Sequence, residues 1–279
     1  MEAEELLKQY AEGERNFKGI TLVGVDLRAA DLSNANFTRA ILRNVKLMDA
    51  NLCGANLREV KLGETNFSGA NLSEANLIGT SLMKTNLTNV NLSGANLRGS
   101  NSREINLSQA NLRGANLTEA NLSQANLTEA NLMEATMTRV NLIRATLSGS
   151  NLESANLTNA LMNESILEEA NLTNAILSGA MLSGANLSEA DLSKSTTIGA
   201  TLSEANLSGA KLRTANVSWT TLRGANLSGA NLFRAKLSWS NLTGAILIKA
   251  VLIDAKLNKT NLRDADLRGA IMPDGTTFP

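Results

Sequence analysis

The apolar positions of the chain follow one pattern from Phe17 to Met272: a large apolar residue at every fifth position, always at numbers ending in 2 or 7. There are 52 such centres with no insertion or deletion, and 43 of them are Leu. Phe17, Phe37, Phe67, Met137, Met162, Val217 and Met272 replace Leu, and only Ser102 and Thr197 are polar. Two positions before the centre a small residue recurs, Ala in 34 of the 52 repeats. Asn is commonest immediately before the centre, and the two positions after it are mostly Ser, Thr, Arg, Glu, Gly or Asn.

A period of five suits neither regular element. On an α-helix five residues advance about 140° past a full turn, so the Leu residues would spiral around the axis and bury no single face. On a flat strand an odd period sends successive Leu side chains to opposite faces. A chain that turns a corner every five residues satisfies the pattern, because each centre and its small companion then point inward again. The pattern therefore predicts a solenoid with Leu127 inside and Thr128 outside. Stacking at strand spacing, roughly 4.8 Å, leaves room for one large side chain per segment, which is why its companion is small.

The string Ala115-Asn116-Leu117-Thr118-Glu119-Ala120-Asn121-Leu122 resembles the pentapeptide repeat family, and the resemblance covers residues 15–272. It implies an all-β fold, a right-handed quadrilateral parallel β-helix with four pentapeptides per coil, about 13 coils and roughly 60 Å of length. Both ends of a β-solenoid expose unpaired backbone and need covers. Ala3, Leu6, Leu7 and Tyr10 stand at helical spacing within residues 2–12, which predicts a short amphipathic capping helix ended near Gly13. At the other end Ile271-Met272-Pro273-Asp274-Gly275 carries a turn signal. The expected organisation is a capping helix within 1–14, a repeat region 15–272 and a tail 273–279. The entry from Leu6 to Phe17 and the exit from Gly269 to Gly275 are similar to the termini of cyanobacterial members linked to control of heterocyst differentiation.

Composition narrows the function. The chain has no His and one Cys, Cys53, so it lacks the commonest general base and the residues of a zinc site or disulfide framework. No nucleophile–base pair, phosphate loop or ligand-spaced carboxylate cluster stands out from the repeat, so neither an enzyme nor a cofactor or metal site is expected. Lys+Arg and Asp+Glu both number 26, which argues against direct nucleic-acid binding. No apolar run reaches the 18 or so residues of a membrane span, and the acidic start with a lone thiol suits a reducing cytoplasm.

Charge sorted at twenty-residue intervals is uneven. Pentapeptides centred at 17, 37 and onward to 257 hold Arg15, Lys18, Arg39, Arg58, Arg98, Arg139, Lys236, Lys256 and Lys259 against only Glu59 and Glu119. The same set contains the two Trp residues of the chain, Trp219 and Trp239, two positions after their centres and one expected coil apart. Exposed aromatics beside cations have the composition of interaction hot spots. Phe233, Ile248, Val251 and Ile253 place apolar side chains at positions normally polar, and a weaker apolar group comprises Leu161, Ile166, Ile176 and Met181. These residues point to a non-catalytic scaffold for another protein. The family resemblance implies a regulator that contacts a transcription regulator, and offers as an alternative a DNA mimic acting on DNA gyrase. Oligomeric state is open at this stage.

Overall fold

The computed structural model describes residues 1–279 and divides them into two compact units, Met1–Thr136 and Met137–Pro279. Each unit is parallel β-helix, and the chain has one α-helix, α1 (Ala3–Ala11).

In the N-terminal unit, α1 forms because Leu6 and Tyr10, four apart, share one face, while Glu4 and Glu5 complement the positive end of the helix. It ends at Glu12, and Gly13 takes a φ of 101° that an L side chain resists. Leu6 and Tyr10 are buried, and Leu7 and Ala3 are half-buried at its margin. The Tyr10 hydroxyl donates to the Ser33 carbonyl at 2.9 Å, and the Arg15 guanidinium lies 3.7 Å from the Tyr10 ring centroid. Three short strands follow, β1 (Thr21–Val23), β2 (Ile41–Arg43) and β3 (Lys61–Gly63), paired in parallel in the order β1-β2-β3 with Leu22, Leu42 and Leu62 in register.

Elsewhere the pairing is reduced to single parallel bridges, such as Asn56 with Asn76 and Asn76 with Asn96. Twenty residues, or four pentapeptides, separate the partners. One repeat shows why the chain bends. The Leu72 amide donates to the Asn91 carbonyl at 2.7 Å and the Asn91 amide returns a bond to the Ala70 carbonyl at 3.0 Å. The Ala75 amide then closes a four-residue turn on the Leu72 carbonyl at 3.1 Å, with Glu74 at a φ of 58°. A positive φ at the third turn residue is the requirement of a type II turn. Repeated every five residues, that corner replaces long strands with isolated bridges.

The preference for Asn before the centre has two causes. Its side-chain carbonyl accepts the backbone amide two residues on, as Asn71 does from Ser73 at 3.2 Å. Its amide group donates to the equivalent Asn one coil earlier, giving a ladder through Asn51, Asn71, Asn91, Asn111 and Asn131 at 3.0–3.3 Å. Leu127 is fully buried, whereas Thr128 is half-exposed and hydrogen-bonds Asn126. The hydroxyl of Ser102, buried at a Leu position, meets Ser100 Oγ at 3.2 Å.

The C-terminal unit repeats the register, for example Leu187 N–H to Asn206 O at 2.7 Å and Asn206 N–H to Ala185 O at 2.9 Å. Its polar centre, Thr197, lies 3.1 Å from Thr220 Oγ1, and Thr220 donates to the Thr197 carbonyl at 2.6 Å. Buried Ser195, in the same pentapeptide as Thr197, has a hydroxyl without a protein partner. The end of the chain folds back instead of trailing: Pro273-Asp274-Gly275 turns, Ile271 pairs antiparallel with Thr277, and Phe278 N–H donates to Ala270 O at 2.8 Å.

Candidate protein-interaction surface

In the C-terminal unit the corner position two after the centre is occupied in successive coils by Gly199, Trp219, Trp239 and Lys259. The two indoles stack with centroids 4.9 Å apart and planes 4° from parallel. Lys259 Nζ lies 4.1 Å from the Trp239 ring centroid, on the side away from Trp219 by chain order, in cation–π contact. Both indoles remain open to solvent, Trp219 at 59% and Trp239 at 46%. Their backbones adopt φ of 60° and 65°, the left-handed corner conformation filled elsewhere by Gly, by polar residues such as Glu, Asn and Arg, and once by Ala29. A bulky L residue there costs about 1–2 kcal/mol, so the corner geometry itself does not favour Trp.

Lysine placement adds a second departure from self-sufficiency. Lys236 and Lys256 pair across neighbouring coils, and both side chains are exposed. Like charges at directly opposed positions repel. The acids of this unit that form ion pairs do so elsewhere: Arg144–Glu164, Arg234–Asp254, Arg263–Asp264 and Arg268–Asp266. Lys236, Lys256 and Lys259 therefore have no carboxylate partner. In the N-terminal unit much of the positive charge at the corresponding positions is locally offset, because Arg39 and Arg58 share Glu59 and Arg98 meets Glu119. The charge excess read from sequence is thus concentrated at fewer residues than the count implies.

Paired carboxylates show the same neutralisation electrically. Hydrogen bonding to Arg39 lowers the Glu59 pKa, hydrogen bonding to Arg144 lowers that of Glu164, and hydrogen bonding to Arg268 lowers that of Asp266. Each pair is largely exposed and contributes little to stability.

The apolar residues divide differently from the Trp pair. Phe233, Ile248, Val251 and Ile253 are all half-buried. Two guanidinium groups, Arg213 at 5.1 Å and Arg234 at 4.9 Å, lie over the Phe233 ring, so it is partly occupied within the chain. Val251 is held by bridges to Asn231 and Ile271. More open apolar side chains occur at Ile176, Met181, Ile166 and Ile198, and Leu161 bridges Met181. Sequence reasoning did not single out Ile198 or Gly199, although counting back twenty residues from Trp219 reaches Gly199 directly. No set of three or more His, Cys, Asp or Glu residues is assembled to hold a metal, and no helix is long and apolar enough to cross a membrane.

Comparison with known proteins adds the following. The family described as pentapeptide repeats matches in eight copies, at residues 21–59, 50–89, 62–101, 85–124, 115–153, 155–193, 200–247 and 235–272. Among solved structures the chain is similar to HetL, a pentapeptide repeat protein involved in heterocyst differentiation regulation from the cyanobacterium Nostoc sp. strain PCC 7120. The identity is 36%, all of both chains is covered and the TM-score is 0.25. It is also similar to Rfr23, a pentapeptide repeat protein from the cyanobacterium Cyanothece 51142, at 28% identity over 53% of this chain and 94% of that one, with a TM-score of 0.21. Full-length QnrB1, a plasmid-mediated fluoroquinolone resistance protein, matches at 21% identity over 76% of this chain and 93% of that one, with a TM-score of 0.24. Global superposition is poor in all three, and the repeat itself carries the relationship. No curated protein matches the chain.

Proposed function

Because the chain belongs to the pentapeptide repeat family, whose members form right-handed β-helices, we propose that it is a non-catalytic scaffold for protein–protein interaction. Its repeat region would be quadrilateral, with four pentapeptides per coil and thirteen coils over residues 15–272, flanked by a cap in 1–14 and a folded tail in 273–279. The observation that carries the reading is the coincidence of an exposed, conformationally strained Trp stack with three lysines lacking carboxylate partners. Stacking and the Lys259 contact offset the corner strain within the chain, so the distinguishing features are the solvent exposure of both indoles and the lysines without carboxylates, and an acidic partner gains from both. We place the action in the cytoplasm. By analogy with the regulatory role named for HetL, the partner is a regulator of differentiation, a transcription regulator being the specific form of the idea.

The test is co-purification from the native host with the full chain and with its Trp219→Ala/Trp239→Ala variant. Recovery of a stoichiometric protein by the first and its loss with the second, at matched thermal stability, supports the reading. Equal recovery removes the Trp surface and moves attention to Phe233, Ile248, Val251 and Ile253.

Imitation of DNA before gyrase is the alternative, and the acids do not favour it. A DNA mimic needs rows of available carboxylates. Here Glu59, Glu119, Glu134, Glu164 and Asp254 each lie against an arginine. Supercoiling by gyrase should therefore be unchanged by excess protein, and stoichiometric inhibition would reverse this ranking.

A further inference from the structure

The Trp column is covered on only one side. Trp239 lies between Trp219 and Lys259, but the other face of Trp219 looks toward Gly199. Nothing stands within 4 Å of the place a Cβ would take at Gly199, and the next corner in the column is Gly179. The coil of Gly199 thus sends no side chain over the indole, while at Gly179, one coil further, the Asn159 side chain leans across the corner. The greater exposure of Trp219, 59% against 46% for Trp239, follows from that missing layer. Ile198, 39% exposed and adjacent in sequence to Gly199, supplies an apolar margin. The pentapeptide holding Gly199 is also the one that carries the polar centre Thr197 and the unpartnered hydroxyl of Ser195.

We propose that the open face of Trp219 above Gly199 is a stacking slot for an aromatic side chain of an acidic partner segment, whose carboxylates then lie along Lys236, Lys256 and Lys259. The proposal rests on the scaffold function above and specifies the chemistry of its partner. The stack already shows the spacing a guest ring would adopt, 4.9 Å between centroids. An indole face also attracts cations, and Lys259 already fills that role at the far end of the column; the proposal takes a neutral ring because a partner segment matched to three lysines is acidic overall.

Geometry sets the order of groups in the partner. Coils recur every ~4.8 Å, which places Lys236 two coils, or roughly 10 Å, from the slot and Lys256 and Lys259 three coils, or roughly 14 Å, away. An extended segment advances about 3.3 Å per residue. Its acids therefore belong about three to five residues beyond the ring, on a strand running along the coil axis.

The probe is the peptide acetyl-Tyr-Ser-Gly-Glu-Glu-Glu-amide, compared with the same peptide carrying alanine in place of tyrosine. Titration into the full chain is followed by calorimetry and by emission of its two tryptophans, which report on this site alone. The tyrosine peptide should bind at least fivefold more tightly. Gly199→Phe should erase that ratio, because the added ring occupies the slot at a corner that accepts non-glycine residues elsewhere. Trp219→Ala should erase it independently, which keeps the test valid if Gly199→Phe folds poorly. Replacing Lys236, Lys256 and Lys259 by Gln should weaken both peptides and preserve the ratio.

A ratio near one in the unmodified chain, or one unchanged by Gly199→Phe and Trp219→Ala, overturns the slot. If the lysine variant still weakens both peptides in that case, the basic interaction surface survives without the slot. Failure of both peptides to bind at millimolar concentration overturns both.

Discussion

Replacing Leu187 by Ala tests the inward register most sharply. The side chain is fully buried, between the equivalent buried residues Leu167 and Leu207 of adjoining coils. Its removal deletes about three methyl-sized groups at ~0.8 kcal/mol each, before any cavity term is added. Collapse of the surroundings is opposed by the backbone: Leu187 N–H donates to Asn206 O at 2.7 Å, its carbonyl accepts from Ala190 at 3.2 Å, and Asn186 N–H is tied to Ser165 O at 2.9 Å. With coil spacing pinned in this way most of the void persists, and the loss should lie near ~4 kcal/mol, in the upper part of the range for buried Leu→Ala. Ser203→Ala, on the half-exposed position after centre Leu202, should change stability by less than about 0.5 kcal/mol. Urea unfolding read by Trp219 and Trp239 emission reports on this unit, and far-ultraviolet circular dichroism checks that the transitions coincide. Equal effects of the two substitutions would refute the assignment of inside and outside.

Four further outcomes are expected. Ser195→Ala should stabilise the protein by about 1–3 kcal/mol, since it removes a buried hydroxyl without a protein partner and matches Ala175, Ala215 and Ala235 in its column; a loss in the same urea assay would mean the hydroxyl is satisfied in the folded state. Tyr10→Phe should cost about 1 kcal/mol by deleting the bond to the Ser33 carbonyl, and an unchanged melting temperature would show that α1 seals its end through Leu6 alone. The lowered pKa values of Asp26, Glu59, Glu164 and Asp266 stabilise the fold above the ordinary carboxylate range, and that contribution disappears as pH falls through their depressed native values. With no His in the chain, melting temperature should be flat between about pH 5.5 and 7 and decline below about pH 4; a step in the neutral range would contradict this. Neutralising Lys236, Lys256 and Lys259 should weaken partner binding gradually and flatten its salt dependence, whereas an unchanged salt slope would remove these lysines from the interface.

The repeat made the inward set legible because one large residue and one small residue share each segment, and no other backbone path keeps both inside at period five. Column neighbours were legible for the same reason: residues twenty apart pair, which places Trp219 beside Trp239 and Lys259 beyond it. Side-chain neutralisation was hidden. Whether Arg39 and Arg58 turn toward Glu59, or Arg213 and Arg234 toward Phe233, depends on rotamers chosen across coils, which a charge count along the sequence does not contain. Ser102 and Thr197 look alike as lapses in the Leu pattern. They differ in the structure because the hydroxyl of Ser102 finds Ser100, two residues away, and that of Thr197 finds Thr220 in the next coil. Nor does sequence announce the folded tail, where Phe278 returns to Ala270 through a backbone bond that any residue but proline could make.

The Trp and Lys surface as the partner-binding site can be judged by one titration, in which the protein recovered by co-purification is added to the full chain while emission from Trp219 and Trp239 is recorded. Since these are the only two tryptophans and both are exposed, burial of the stack by a partner free of Trp should shift the emission to shorter wavelength, saturate at a fixed stoichiometry and vanish with binding in Trp219→Ala/Trp239→Ala. Saturable binding detected by calorimetry with unchanged emission, and with undiminished affinity in the double variant, would place the interface elsewhere and contradict the account.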